Sequence, residues 1–206
     1  MTHPPSLTTR LLHAGLAIGI SLQLLISTFM QMPGREHPRA WWQTLGFTLH
    51  EGIGLLMLPL IAGWFVWLFV RRHEEGPQAL FPWFTQAARH ALIDAVRGAF
   101  LSLKKREIPL SSETDRIARA VHGLGALCAL GMALSGLLVW LGLSSQGELA
   151  DWARLVLDLH QALATLMWIY VLSHAAMALL HHRRGETTLK QMFSLGPGQG
   201  ILAGKE

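Results

Sequence analysis

A single cysteine, Cys128, stands among 206 residues. One thiol excludes an internal disulfide and any multi-thiolate zinc or iron–sulfur site built within one chain. Set in the middle of an apolar run, it reads as packing. Charge is missing from four long stretches. Residues 11–30, 52–70 and 120–143 contain no Asp, Glu, Lys or Arg, and residues 155–180 contain only Asp158. About 20 such residues, rising about 1.5 Å each, span a hydrocarbon core of roughly 30 Å. In lipid only helices and closed barrels satisfy their backbone groups, and runs this continuous are helices. The expected fold is all-α, an integral membrane four-helix bundle. Its spans are placed at residues 10–31, 47–70, 117–143 and 152–181 of a single membrane domain. The first run exceeds the roughly 7–15 residues of a signal-peptide core. It also carries His13 and is followed by Gln31, Met32, Pro33 and Gly34, a poor cleavage site, so it reads as a retained helix.

What is abundant is positive charge on one side. Fourteen of the 17 Lys and Arg fall at the N-terminus, in the second connection and at the C-terminus. Arg35, Arg39 and Arg154 are the three left for the other side. By the positive-inside rule both termini face the cytoplasm, in a multi-pass protein of a bacterial inner membrane. The net charge of +4 follows from this asymmetry, and no nucleic-acid partner is implied. The second connection is too long for a plain loop. Within residues 81–106, Phe84, Ala88, Leu92, Val96, Ala99 and Leu103 recur at helical spacing. Gln86, Arg89, His90, Asp94, Arg97 and Lys104 take the other face. This is the pattern of an amphipathic interfacial helix between helices 2 and 3, lying on the inner leaflet. Residues 194–206, with Pro197 and several glycines, read as a loose tail.

There are 11 histidines, and five fall on the spans: His13, His50, His122, His160 and His174. Ionisable groups in a bundle are costly and face its interior with a partner. His160 and His174 are 14 residues apart, about 40° short of four full turns, so they share a face about 21 Å apart along the axis. Such spacing suits two metal centres stacked across a bilayer. A low-spin haem iron takes two neutral axial imidazoles, so two haems need four histidines on two levels. Counting back to Arg71 and Arg183 places His50 and His160 about 31 and 34 Å from the cytoplasmic edge, which pairs them. For the cytoplasmic level, depth leaves both His13 and His122 as partners for His174.

From His160 onward the chain reads LHQALATLMWIYVLSHAAMALLHH, then ETTLKQM. This resembles the last helix of the prokaryotic cytochrome b561 family, related to the b-type cytochrome subunits of nickel–iron hydrogenases. His160, Leu163, Ala164, Thr165, His174, Ala175, Ala176, His181, His182, Thr188, Leu189 and Met192 carry it, with His13 and His50 matching by position. The resemblance implies two haem b groups, one held by His13 and His174 and one by His50 and His160. It departs at Ala14, Leu159 and Gln161, where the family often has an aromatic, a Trp and an acid. Arg10, one turn before His13, is a candidate propionate contact, as are Arg39 and Arg154 on the far side. Each also fits an interfacial anchor. Gly15, Gly19, Gly123, Gly131 and Gly136 could let a macrocycle approach, or let helices pack closely. Trp41 and Trp42 read as interfacial belt. His181 and His182 read as interfacial residues, candidates for a quinone headgroup's neighbourhood, and Asp158 as an outer-edge residue.

The leading expectation is a di-haem membrane cytochrome passing electrons across or within the membrane and exchanging them with the quinone pool of a respiratory chain. Ubiquinone would be its substrate if it acts as a quinol oxidoreductase. The alternative is a haem-bearing anchor that relays electrons for a separate oxidoreductase subunit or cytochrome, and a homodimer is open. A histidine-based transporter of zinc or copper is the reading from another class. Such sites gather several ligands at one level, often with carboxylates or thiols, and these histidines divide between two.

Overall fold

A computed structural model of the chain describes residues 5–33, 39–71, 77–105, 111–145 and 147–185. Four long helices dominate it: α1 (Leu7–Ser27), α2 (Trp41–Val70), α5 (Ser111–Leu141) and α6 (Asp151–Arg183). Between α2 and α5 lie a short helix α3 (Pro77–Leu80), a 3₁₀ turn (Pro82–Phe84) and helix α4 (Gln86–Lys104). Among the described residues there is no strand, only an isolated bridge between Leu143 and Leu149. The tail at 194–206 and the matched residues Thr188, Leu189 and Met192 lie outside the described residues.

Each long helix contains a window apolar and long enough to cross a membrane. Their outer faces confirm lipid as the solvent. Leu56, Val66 and Phe69 on α2, and Leu155, Ile169 and Leu172 on α6, are all at least 60% exposed. Large side chains cover the outside of a bundle in this way only where hydrocarbon replaces water. The protein is a multi-pass, all-α membrane four-helix bundle.

Local chemistry fixes the ends of the helices. Ser6 caps α1, its hydroxyl accepting from the Thr9 N–H at 3.3 Å. Trp67 of α2 donates to the buried Thr9 hydroxyl at 2.8 Å, tying the end of α2 to the start of α1. Helix α2 starts at Trp41, before the apolar run of residues 52–70 and before the expected 47. Its early turns are polar, with Gln43 accepting from the Ala40 N–H at 2.9 Å and Thr48 donating to the Thr44 carbonyl at 3.1 Å. Hydropathy does not register turns of this kind. Pro59 sits inside α2, as lipid-facing helices tolerate where neighbours and side chains satisfy the freed carbonyl.

The connection after α2 breaks at Pro82, which has no N–H to continue a helix. The helix therefore begins at Gln86 rather than at 81, with the Thr85 hydroxyl accepting from the Ala88 N–H at 3.3 Å. Phe84 lies before it and is exposed, and Val96 is exposed as well. The half-buried stripe of α4, on a helix that packs against α5, is Ala88, Ala91, Leu92, Ala95 and Ala99. Leu80 and Phe81 are buried with Leu68, and the Leu80 carbonyl approaches α5 so closely that only glycine fits at position 123.

In the bundle α1 packs on α2, α2 on α5 and α5 on α6, and α6 returns to α1. The core at mid-height is Leu24, Met57, Ile61, Ala129 and Met167. Met57 is seven residues past His50, and Met167 is midway between His160 and His174. The two methionines thus fill the space between two histidine levels.

Candidate functional site

The antiparallel hairpins bring the histidines together. His50 of α2 faces His160 of α6 with ring centres 6.3 Å apart. His13 of α1 faces His174 of α6, also at 6.3 Å. All four are half-buried. A metal–imidazole bond of about 2.0 Å, with the ring centre about 1.1 Å behind its nitrogen, holds two imidazoles on opposite sides of one metal about 6.2 Å apart. A direct hydrogen bond between the rings would bring the centres to about 5 Å. Both separations match the first of these widths.

His122 lies beside this arrangement. Its ring meets His174 edge-on at 4.8 Å, too close for a metal between them. Its Nδ1 donates to the Ala118 carbonyl at 2.7 Å, one turn back on its own helix. Tyr170, the single tyrosine, stacks on His174 at 5.6 Å and 16°. Tyr170 in turn lies directly on Gly125, where any Cβ would meet its ring.

Around His50 and His160 is a cavity of about 510 Å³ lined mainly by apolar side chains, among them Leu24, Met57, Ile61, Ala133 and Leu137. Gln23 reaches in from α1 and donates to the His50 carbonyl at 2.9 Å. The His50 Nδ1 is buried without a hydrogen-bond partner among the described residues. Glu51, the next residue, accepts from the Trp140 indole and stands where this cavity meets a more polar recess holding Arg39, Thr44, Thr48 and Ser144. Behind His160, Ser135 of α5 lies 2.9 Å from Nδ1. A Cβ on Gly136 would stand 3.1 Å from the same ring.

The remaining candidates are placed as follows. Arg10 is half-buried one turn before His13. Arg39 contributes an N–H to the Gln31 carbonyl at 3.4 Å. Arg154 pairs with Asp151 at 3.4 Å on the surface, which is an anchoring arrangement. Asp158 is exposed, and Trp41 and Trp42 are exposed near the start of α2. His181 and His182 form the last turn of α6. Of the five glycines, Gly15 and Gly19 meet Leu60 and Met57, Gly131 meets Leu163 and Gly123 meets Leu80, all helix packing, whereas Gly136 alone faces a paired histidine. Cys128 packs in the α5–α6 seam, its thiol 3.6 Å from the Leu163 carbonyl. Ser135, Gln23 and Tyr170 are contacts that histidine spacing along the chain does not reveal.

A membrane bundle that brings histidines face to face between its helices, in apolar surroundings, can hold a metal-centred group there. Among the described residues no set of three or more His, Cys, Asp or Glu side chains converges as a metal cage. The family model for prokaryotic cytochrome b561 matches residues 6–195, and the chain belongs to that family. It is a b-type membrane cytochrome of electron transfer. The resemblance read from the stretch after Leu159 is thus to the family whose model matches residues 6–195. No curated protein and no solved structure matches the chain. The b-type haem that membership implies fits the residues present, given imidazoles facing in pairs and an apolar cavity lined by one pair.

Proposed function

We propose that the chain holds two haem b groups, one between His13 and His174 and one between His50 and His160, and carries electrons between the two leaflets. The observation that carries this is the repeated separation of 6.3 Å on two levels of one bundle. Haem b supplies a reversible one-electron change at its iron. The four histidines hold the groups in place, and the shared face of α6 sets the two levels about 21 Å apart along the helix. Met57 and Met167 keep water out of the mid-plane between them. His122 is assigned a neighbouring role, because its ring is too close to His174 and its Nδ1 is engaged by Ala118.

The basic excess places the termini, the second connection and the His13–His174 level toward the cytoplasm, and the His50–His160 level toward the periplasm of an inner membrane. Helix α4, with Ile93, Val96 and Phe100 exposed and Arg89, Arg97 and Lys104 among its polar residues, lies at the inner leaflet. Exchange with the quinone pool fits helices whose outer faces are open to lipid, from which a lipid-soluble carrier reaches either level without crossing water.

The purified protein tests this reading. Its reduced-minus-oxidised spectrum should show a b-type α band, with about two haems per chain by pyridine haemochrome, and a short-chain quinol should reduce it. One haem per chain, or none after expression with added haem precursor, contradicts it.

A further inference from the structure

The environment behind His160 specifies more than its position. The Ser135 hydroxyl lies 2.7 Å from the Gly131 carbonyl, 3.2 Å from the Met132 carbonyl and 2.9 Å from His160 Nδ1. A hydroxyl has one proton, and a carbonyl only accepts. The short contact one turn back on α5 takes that proton, as serines inside helices commonly do. The hydroxyl oxygen then faces His160 with a lone pair, so the ring nitrogen opposite it must be the donor. Ser135 is only 4% exposed, so water does not compete for the bond, and its rotamer is held by the carbonyls of its own helix. Gly136, the next residue, leaves room for the imidazole with nothing to spare.

We infer that Ser135 is the positioning residue of His160, accepting its Nδ1–H and so leaving Nε2 as the ring's single, more basic metal donor, which favours the oxidised state of the group held at this level. This rests on the assignment of His160 as an axial ligand. A hydrogen-bond acceptor behind a ligating imidazole raises its basicity, and loss of such a partner commonly costs about 10–100-fold in metal affinity or activity. His174 is surrounded differently, with Tyr170 stacked on it and the His122 ring nearly perpendicular to it. Ser135 therefore distinguishes the two levels electronically although their ring separations agree.

The test is a potentiometric titration of the purified holoprotein and its Ser135→Ala and Ser135→Thr variants, followed at the α band, with haem content of His160→Ala measured alongside. Ser135→Ala should move one of the two one-electron waves upward, by about tenfold in the reduced-to-oxidised ratio at fixed potential, or about 59 mV. The other wave should stay in place. Ser135→Thr keeps the hydroxyl and should titrate like the parent. If Ser135→Ala fails to assemble, Ser135→Cys carries the test, since a thiol is a weak acceptor and should raise the same wave. An unmoved wave, a downward shift or an equal shift of both waves overturns the inference. If His160→Ala keeps its full haem content, the ligand assignment itself falls. If it loses one haem while the Ser135→Ala waves stay put, only the role of Ser135 falls.

Discussion

At each end of the bundle a histidine of α6 faces a histidine of the α1–α2 hairpin at 6.3 Å, yet what stands behind the α6 ring differs. His160 has a buried hydroxyl at hydrogen-bonding distance and a glycine against its edge. His174 has two rings, Tyr170 stacked on it and His122 set against it. On the side facing the partner histidine the two levels share one ring separation. The side facing the neighbouring helix is free to vary, and there the two levels acquire separate properties. Polar support at one level and aromatic support at the other gives the two histidine pairs different surroundings.

The largest effects should come from the histidines. His13→Ala, His50→Ala, His160→Ala and His174→Ala should each lower haem content from about two per chain to about one, read by pyridine haemochrome. His122→Ala should retain both, because its ring does not stand opposite a partner at coordination distance. A loss of haem in His122→Ala with none in His13→Ala would reassign the level.

Next come the glycines that the two α6 rings require. Gly136→Leu should drive His160 from its position and selectively reduce the low-spin signal of that level in electron paramagnetic resonance. Gly125→Leu should act on the other level, because its side chain would occupy the place of Tyr170. If either variant altered both levels equally, the separation of the two supports would be lost.

A smaller effect is expected from Met167→Ala at mid-height. It empties a tightly packed position, 2% exposed, and should lower stability by about 2–3 kcal/mol. Thermal release of haem from the holoprotein reads this as an earlier transition of both levels together, since Met167 lies between them. A change confined to one level would show that the methionine belongs to that site and not to the shared core.

Much of this was legible along the chain. The four spans follow from runs without charge, and the common face of His160 and His174 follows from helical periodicity alone. The pairing of His50 with His160 follows from depth. Depth could not separate His13 from His122, since each lies three residues beyond a basic residue. What separates them is lateral. Helix α5 runs beside α6, so His122 arrives next to His174, while His13 arrives opposite it. The tight turn around Gly147, with φ of 80°, makes α5 and α6 a simple hairpin. Residues equally far from that turn therefore meet, including Ser135 with His160 and Gly125 with Tyr170. That symmetry was available from the sequence and would have found Ser135. The early start of α2 at Trp41 and the break at Pro82 were harder to see, because capping side chains and a missing N–H set those ends, and hydropathy registers neither.

The most direct measurement is the haem content of double variants, since it reads pairing and not only necessity. His50→Ala combined with His160→Ala should keep about one haem per chain, as should His13→Ala combined with His174→Ala, because each removes both ligands of a single group. His50→Ala combined with His174→Ala should keep none. If this last variant retained one haem, or the first two retained none, the histidines would not be paired as described.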